Sequence, residues 1–470
     1  MAALDGFISM LNNWMYSYIM IAMLIVLGLF FTFRTGFVQF KMIPEMFRVI
    51  FEKSTISADG KKGISSFQAF TISAASRIGT GNLAGVATAI ALGGPGAVFW
   101  MWIIALIGAG SSFVESTLAQ VYKVKDGDVF RGGPAYYMEK GLNKRWMGIV
   151  FAVAITLSFG LVFNAVQSNT IAIAMNEGFG VSRYVTAVVL AILTGFIVFG
   201  GLKRIVHVTQ ILVPVMAVVY VLLAVVVLAM NITEIPAMFM LIVNSAFGLQ
   251  EAAGGALGAA LMNGIKRGLF SNEAGMGSAP NAAATAAVSH PVKQGLIQTL
   301  GVFIDTIVIC SATAFIILLS GEYLRADAQS INLTQSALSV HIGDWAVIFL
   351  AVAIFMFAFS SVVGNYYYGE TNIEFIKESK PALLVYRLAV MGMVFFGSIA
   401  KISLVWNMAD LFMAIMAFIN LIAIAMLSKI AVKVLADYSQ QRKEGKEPVF
   451  YSDSIDGIGE VECWERNREE

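Results

Sequence analysis

The sequence predicts an all-α polytopic membrane protein, and three observations carry that prediction. Of the 470 residues, 58% are hydrophobic and only 13% charged, with a mean hydropathy of +0.78; a soluble domain carries about a quarter charged residues. Apolar runs of the roughly 20 residues needed to cross a bilayer recur along the chain. Lipid offers no partner for a bare peptide group, so only helices and closed barrels span it, and runs this long and continuous are helical.

The apolar runs between charged breaks place eleven transmembrane helices near 14–33, 66–91, 96–122, 147–175, 183–200, 206–230, 237–265, 294–319, 344–373, 382–400 and 403–433. The first run, Trp14 to Phe33, is of spanning length, has no basic segment before it and is followed by Arg34, so it reads as a helix and not a leader. Basic residues then crowd alternate loops. They are Arg34, Lys41, Arg48 and Lys53 after the first span, Lys123, Lys125, Arg131 and Lys140 after the third, and Lys203 and Arg204 after the fifth. Lys266 and Arg267 follow the seventh, Lys377 and Lys380 the ninth, and Arg442 and Lys443 lie in the tail. With eleven spans all of these fall on one side, which the positive-inside rule makes cytoplasmic. The N-terminus is then outside and the C-terminus cytoplasmic, in a cell (inner or plasma) membrane. Residues 1–436 read as one transmembrane domain and 437–470 as a charged, partly disordered cytoplasmic tail.

Composition also narrows function. A net charge of +1 provides no field for nucleic acid. Cys310 and Cys463 are too few and too far apart for a disulfide framework. His207, His290 and His341 lack metal-ligand spacing. No nucleophile and base stand at motif spacing, so the chain reads as no enzyme, with no cofactor. Channels repeat a pore segment around an axis, and no such repeat is visible; an ion channel remains the rival from a different class.

Two spans look broken. The second contains Gly79-Thr80-Gly81-Asn82 and the seventh Ala252-Ala253-Gly254-Gly255. Each glycine lowers helix propensity by about 1 kcal/mol relative to alanine, although close packing of membrane helices through small residues produces the same pattern. These spans are the first and sixth of the ten that follow the N-terminal helix. The weak points therefore match in two five-helix halves, 66–230 and 237–433, that enter the membrane from opposite sides. Glycine-interrupted segments at matched positions of inverted repeats point to a transporter binding site. Freed amides at such a break attract a carboxylate and freed carbonyls attract a bare cation, so one region can hold an amino acid and its coupling ion.

Long blocks of the sequence resemble the alanine or glycine:cation symporter family. Gly93-Gly94-Pro95-Gly96-Ala97-Val98-Phe99-Trp100-Met101-Trp102 is similar to its signature. Ile78 to Ala87, Lys266 to Gly275 and Asn365-Tyr366-Tyr367-Tyr368-Gly369-Glu370 look like three further blocks. The likeness covers essentially the whole chain, in order. It implies a LeuT-like 5+5 inverted-repeat core plus one extra N-terminal helix, and symport of alanine or glycine with sodium.

The resemblance also implies roles. Gly79, Thr80, Gly81 and Asn82 fall on the unwound first core helix, with the amides of Thr80 and Gly81 toward the substrate carboxylate; a cap for the broken helix is the other reading of Asn82. The sodium site between the first and eighth core helices falls on the carbonyls of Ala75, Ile78 and Phe357 and the hydroxyls of Ser360 and Ser361. The plain alternative is two serines bonded to their own helix. Gln167 resembles a substrate-facing position, with Asn169 near it. Ala253, Ala256 and Leu257 beside the second weak point would line the side-chain end, and Asn365, one turn after Ser361, lies on the same face. These walls are small, which leaves a small ligand flanked by other bulk, or a larger neutral amino acid such as glutamine.

Arg77, Glu115 and Asp305 fall within spans, where an isolated charge costs about 2.5–3.5 kcal/mol. They are expected to be paired, as Arg77–Asp305 or Arg77–Glu115, or to face water. Asp305 is the candidate functional acid of a proton-coupled or exchange carrier. Ser271 to Ser278 is expected as a short cytoplasmic loop over the inner mouth, either gate or connector.

Overall fold

A computed structural model describes residues 2–54, 63–127, 129–248, 254–325, 330–459 and 461–465. Among these, eight helices are long and apolar enough to cross a membrane: Asp5–Arg34, Gly96–Val121, Arg145–Phe179, Arg204–Met230, Val292–Ser320, Trp345–Ile376, Lys380–Ile399 and Ile402–Lys443. Three shorter apolar helices, Gly81–Gly93, Arg183–Val198 and Ile235–Ala246, lie between them. At 1.5 Å per residue the 32-residue Trp345–Ile376 helix is about 48 Å long, well over the roughly 30 Å of a hydrocarbon core.

Outward-facing side chains match that setting. Along Gly201–Met230, Val215, Val218, Leu222 and Val225 are each more than half exposed, on one apolar face. Inward, helices meet through glycine. A Cβ on Gly264 would stand 2.5 Å from the Ala97 carbonyl oxygen, and one on Gly96 would stand 2.4 Å from the Ala246 nitrogen. Only hydrogen atoms fit at those crossings, which lets backbones approach closely.

Two predicted spans divide. The run 66–91 is a helix at Ser66–Arg77, a break at Ile78 to Thr80, then a second helix that starts with a π-helical turn at Gly81–Gly85. Ser65 and Gln68 start it with a reciprocal capping box, with bonds of 3.0 and 3.2 Å. The run 237–265 is not one helix: Ile235–Ala246 ends and Gly254–Asn272 begins separately. Of the expected weak point Ala252 to Gly255, Ala252 and Ala253 lie outside the described residues, and Gly254-Gly255 opens a helix that runs unbroken to Asn272. The actual interruption is Glu273 to Ser278, where Glu273, Gly275 and Gly277 take left-handed φ of 58°, 80° and 84°. This segment is buried throughout, so the expectation of a loop over the inner mouth is corrected. Two more π-helical stretches, Thr156–Phe163 and Phe303–Cys310, sit inside long helices beside the two breaks.

The C-terminal segment is also more ordered than its charge suggests. After Lys443 the chain returns along the ends of the helices. Trp464 Nε1 donates to the Gln120 carbonyl (3.0 Å), Tyr122 Oη to that of Ile458 (2.8 Å), and Phe450 N to that of Ser289 (2.9 Å). The Lys123 ammonium lies 4.6 Å from the Trp464 ring and 4.1 Å from that of Phe130. Burial there pushes its pKa down to about 7.

Candidate functional site

At the first break the backbone leaves the helix at Ile78 (φ −80°, ψ 86°), and side chains take over its hydrogen bonds. Gly79 N donates to Asn82 Oδ1 (2.8 Å); Thr80 N and Thr80 Oγ1 both donate to Gln167 Oε1, at 3.0 and 2.6 Å. A Cβ on Gly79 would come within 2.1 Å of Ser361 Oγ and 3.0 Å of Gln167 Oε1. Four of the expected residues, Gly79, Thr80, Gln167 and Ser361, therefore converge on one point. Asn82 both caps the break and reaches across it: its Nδ2 donates to Asp305 Oδ1 (2.6 Å) and Ser271 Oγ (3.1 Å).

Below that point is a cluster of oxygens. Ser361 Oγ lies 2.9 Å from the Ala75 carbonyl and 3.2 Å from that of Phe357. Ile78 directly precedes Gly79 at the same place. Ser360 Oγ bonds its own helix at Phe357 O (2.8 Å) and faces Met216 Sδ (3.9 Å). Oxygen is the donor a hard cation takes, and Ala75, Phe357 and Ser361 fit one.

The second break is held by acids. Glu115, from the Gly96–Val121 helix, accepts from Gly275 N and Gly277 N at 3.0 Å each and from Asn420 Nδ2 at 2.8 Å. Its ring of donors stabilises a buried carboxylate. Glu273 Oε2 accepts from Ser278 Oγ (2.6 Å), and Glu273 Oε1 lies 2.6 Å from Ser76 Oγ, at the end of the helix that enters the first break. The two breaks are thus in contact, and the second interruption lies about a dozen and a half residues beyond the glycines expected to form it.

The remaining expected residues divide. Asn365 lies beside the first break, 2.7 Å from Ser76 Oγ and bonded to Asn164 Oδ1 at 3.2 Å. Gly81 packs against Phe270, whose ring a Cβ would meet at 3.0 Å. Leu257 is corrected: it is 38% exposed and roughly 21 Å along its helix from Ser271. Ala253 lies outside the described residues. Asn169 instead ties down a neighbouring helix end, at Gly397 O (2.7 Å) and Ala400 O (2.9 Å). Neither expected charge pair forms. Arg77 is buried, donates to Gln298 O (3.2 Å) and makes no direct ion pair among the described residues, although Glu115, Glu273 and Asp305 all lie within its electrostatic reach.

Bulk absent from the expected walls comes from residues the sequence reading missed. Phe270 lies between Phe163 (centroids 4.7 Å apart) and Trp406 (4.8 Å). Arg267 stacks on Trp406 at 4.5 Å and pairs with Asp410, both buried. Beside them a cavity of about 510 Å3 is lined by Thr88, Asn263, Arg267, Trp406 and Asp410. Phe270 stands within the family-like block from Lys266 to Gly275, which was the available signal.

Residues 1–452 match the sodium:alanine symporter family. The chain is 60% identical over 466 residues to the amino-acid carrier protein AlsT of Bacillus subtilis (99% of each chain), and 56% identical over 461 residues to the probable sodium/glutamine symporter GlnT of the same organism (98% and 96%). It is 39% identical over 446 residues to the sodium/alanine symporter AgcS of Methanococcus maripaludis (93% and 97%). Its fold is similar to that of a manganese transporter from Eremococcus coleocola (TM-score 0.55, 14% identity, covering 86% of this chain and 95% of that one). It is also similar to MhsT bound to L-phenylalanine (TM-score 0.53, 14% identity, 82% and 99%). The chain, a multi-pass helical membrane protein with a pair of interrupted helices at its centre, belongs to the sodium:alanine symporter family.

Proposed function

We propose that the protein is a sodium-coupled secondary active symporter that imports a small neutral amino acid, alanine or glycine, by alternating access. It does so with eleven spans, a LeuT-like pair of inverted five-helix repeats and an outside N-terminus. The observation that carries this is the convergence of Gly79, Thr80, Gln167 and Ser361 at the first break. There, amides able to take a carboxylate lie beside an oxygen cluster able to take sodium.

In this reading Thr80 N and Gly81 N receive the substrate carboxylate when Gln167 swings its amide oxygen aside. Asn82 and Asn365 flank the pocket, and Phe270, Phe163 and Trp406 replace Leu257 as its walls. Sodium sits among Ala75, Ile78, Phe357, Ser360 and Ser361. Three aromatic rings leave room for a methyl group more readily than for a long side chain. A glutamine substrate is the second reading, favoured by the 56% identity to a probable sodium/glutamine symporter. One sodium crossing about 100 mV contributes roughly 2.3 kcal/mol and a tenfold gradient about 1.4 kcal/mol more, enough for accumulation of order several hundredfold.

Uptake of labelled alanine, glycine and glutamine into proteoliposomes tests both readings. An inward sodium gradient should drive alanine or glycine, and an equal potassium gradient should not. Equal uptake with both cations removes sodium coupling; preferential glutamine uptake selects the second reading.

A further inference from the structure

Between the two breaks runs a chain of hydrogen bonds whose direction can be worked out from one end. Asn164 Nδ2 lies 2.9 Å from the Gly160 carbonyl oxygen, a group that only accepts. That fixes the Asn164 amide with nitrogen toward Gly160 and Oδ1 toward Asn365. Asn365 must then present Nδ2 to Asn164 Oδ1, at 3.2 Å, and its own Oδ1 to Ser76 Oγ, at 2.7 Å. Reversing either amide would set two acceptors face to face. Ser76 has one hydroxyl hydrogen, and Asn365 Oδ1 takes it.

The next contact is Ser76 Oγ to Glu273 Oε1, at 2.6 Å. With its hydrogen already directed at Asn365, the serine can only accept here. Two buried oxygens at that distance need a hydrogen between them, and among the described residues it comes from the glutamic acid itself, because the neighbouring Tyr368 hydroxyl can point at Ser76 but not between the two. The other Glu273 oxygen accepts from Ser278 Oγ at 2.6 Å, so the hydrogen is on Oε1. The charges around Glu273 agree. Arg77, Asp305 and Tyr368 face it, Glu115 holds the amides of Gly275 and Gly277 just beyond it, and no cation touches it among the described residues. An ionised Glu273 would be a buried charge with no partner in contact, a costly arrangement.

We propose that Glu273 is a proton-binding site, occupied in this conformation, whose O–H bond to Ser76 joins the second break to the first. Losing the proton leaves a carboxylate against an oxygen lone pair and parts the two segments; the proton passes to water. Taken with the transport reading above, on which this last step rests, the site makes closure of the breaks depend on a proton.

Infrared difference spectroscopy on the purified full-length protein in lipid at neutral pH tests the site without requiring transport. Glu273→Gln keeps the same pattern, its amide donating to Ser76 and accepting from Ser278. Wild type minus this variant should show a protonated carboxylic acid C=O band that shifts in heavy water. Loss of a carboxylate band instead would overturn the assignment. Should the variant fold poorly, Ser76→Ala serves: removing the acceptor should move the Glu273 C=O band to higher frequency, and an unmoved band overturns it equally. For coupling, each pH unit above the site's pKa lowers proton occupancy about tenfold. Sodium-driven uptake by wild type should therefore fall with rising pH while Glu273→Gln gives a flat profile; parallel profiles would overturn the coupling. Absence of uptake in wild type at every pH would count against the transport reading and leave the band assignment standing.

Discussion

The two breaks solve one problem in opposite ways. At the first, the freed amide of Thr80 is met by a neutral oxygen, the Gln167 carboxamide, at 3.0 Å. At the second, the amides of Gly275 and Gly277 are met at 3.0 Å by Glu115, an acid of the protein itself. A charged acceptor binds such amides about twice as strongly as a neutral one. The second break is therefore filled by an acid of the protein itself, whereas the first is held by a group that a substrate carboxylate can outcompete. The difference explains how two interrupted helices in contact can divide the work, one gripping the ligand and one bracing the frame.

The largest expected effect tests the brace. Glu115→Ala strands two buried backbone amides and one of the two hydrogens of Asn420 Nδ2, whose other hydrogen stays on the Gly275 carbonyl, and should cost on the order of 3 kcal/mol or more of stability, read as a clear fall in melting temperature of the purified protein. An unchanged melt would mean the second break is not held by this acid. Gly79→Ala comes next. Its methyl group has nowhere to go beside Ser361, and such overpacking costs about 1–3 kcal/mol. Substrate and sodium affinity should fall together by roughly tenfold to a hundredfold in equilibrium binding; a loss confined to one ligand would separate the two sites that the geometry joins.

Gln167→Ala should weaken substrate binding by about tenfold with expression preserved and a smaller fall in melting than Glu115→Ala, because it removes the neutral holder of the first break and leaves the brace intact. If affinity does not move, Gln167 is no part of the pocket. The smallest effect sharpens the ion cluster. Ser361→Ala should raise the sodium concentration for half-maximal uptake severalfold, and Ser360→Ala by less, since Ser360 is turned to its own helix and Met216. Equal shifts would place both hydroxyls on the ion.

Much of the first break was readable locally. Gly79-Thr80-Gly81-Asn82 combines low helix propensity with side chains that can replace the lost bonds, all within four residues. The second was not, because what makes it possible comes from elsewhere. Glu273 to Ser278 reads as a polar connector, and only Glu115, some 160 residues earlier, makes its burial tolerable. Gly254-Gly255 carried the same glycine signal, and among the described residues it marks the start of a helix. The long spans at 96–122, 344–373 and 403–433 were legible because apolar length alone decides them, as the Gly96–Val121, Trp345–Ile376 and Ile402–Lys443 helices attest. The tail misled through composition: its charges suggest solvation, while Phe450 and Trp464 anchor it against the core.

The wide π turns at Phe303–Cys310 carry a consequence for register. An α-helix advances about 100° per residue, and a π turn absorbs an extra residue without lengthening the rest. Within this stretch Asp305 meets Asn82, while at its end Ser311 accepts from Trp102 Nε1 at 2.8 Å. Removing a single residue between them would let the segment rewind to an ordinary helix with both flanks facing as they do now, whereas the same loss from an ordinary α turn would swing one flank about 100° round the axis. A one-residue gap at this place between two related carriers is therefore a change the helix can take up while Asp305 and Ser311 keep their present faces.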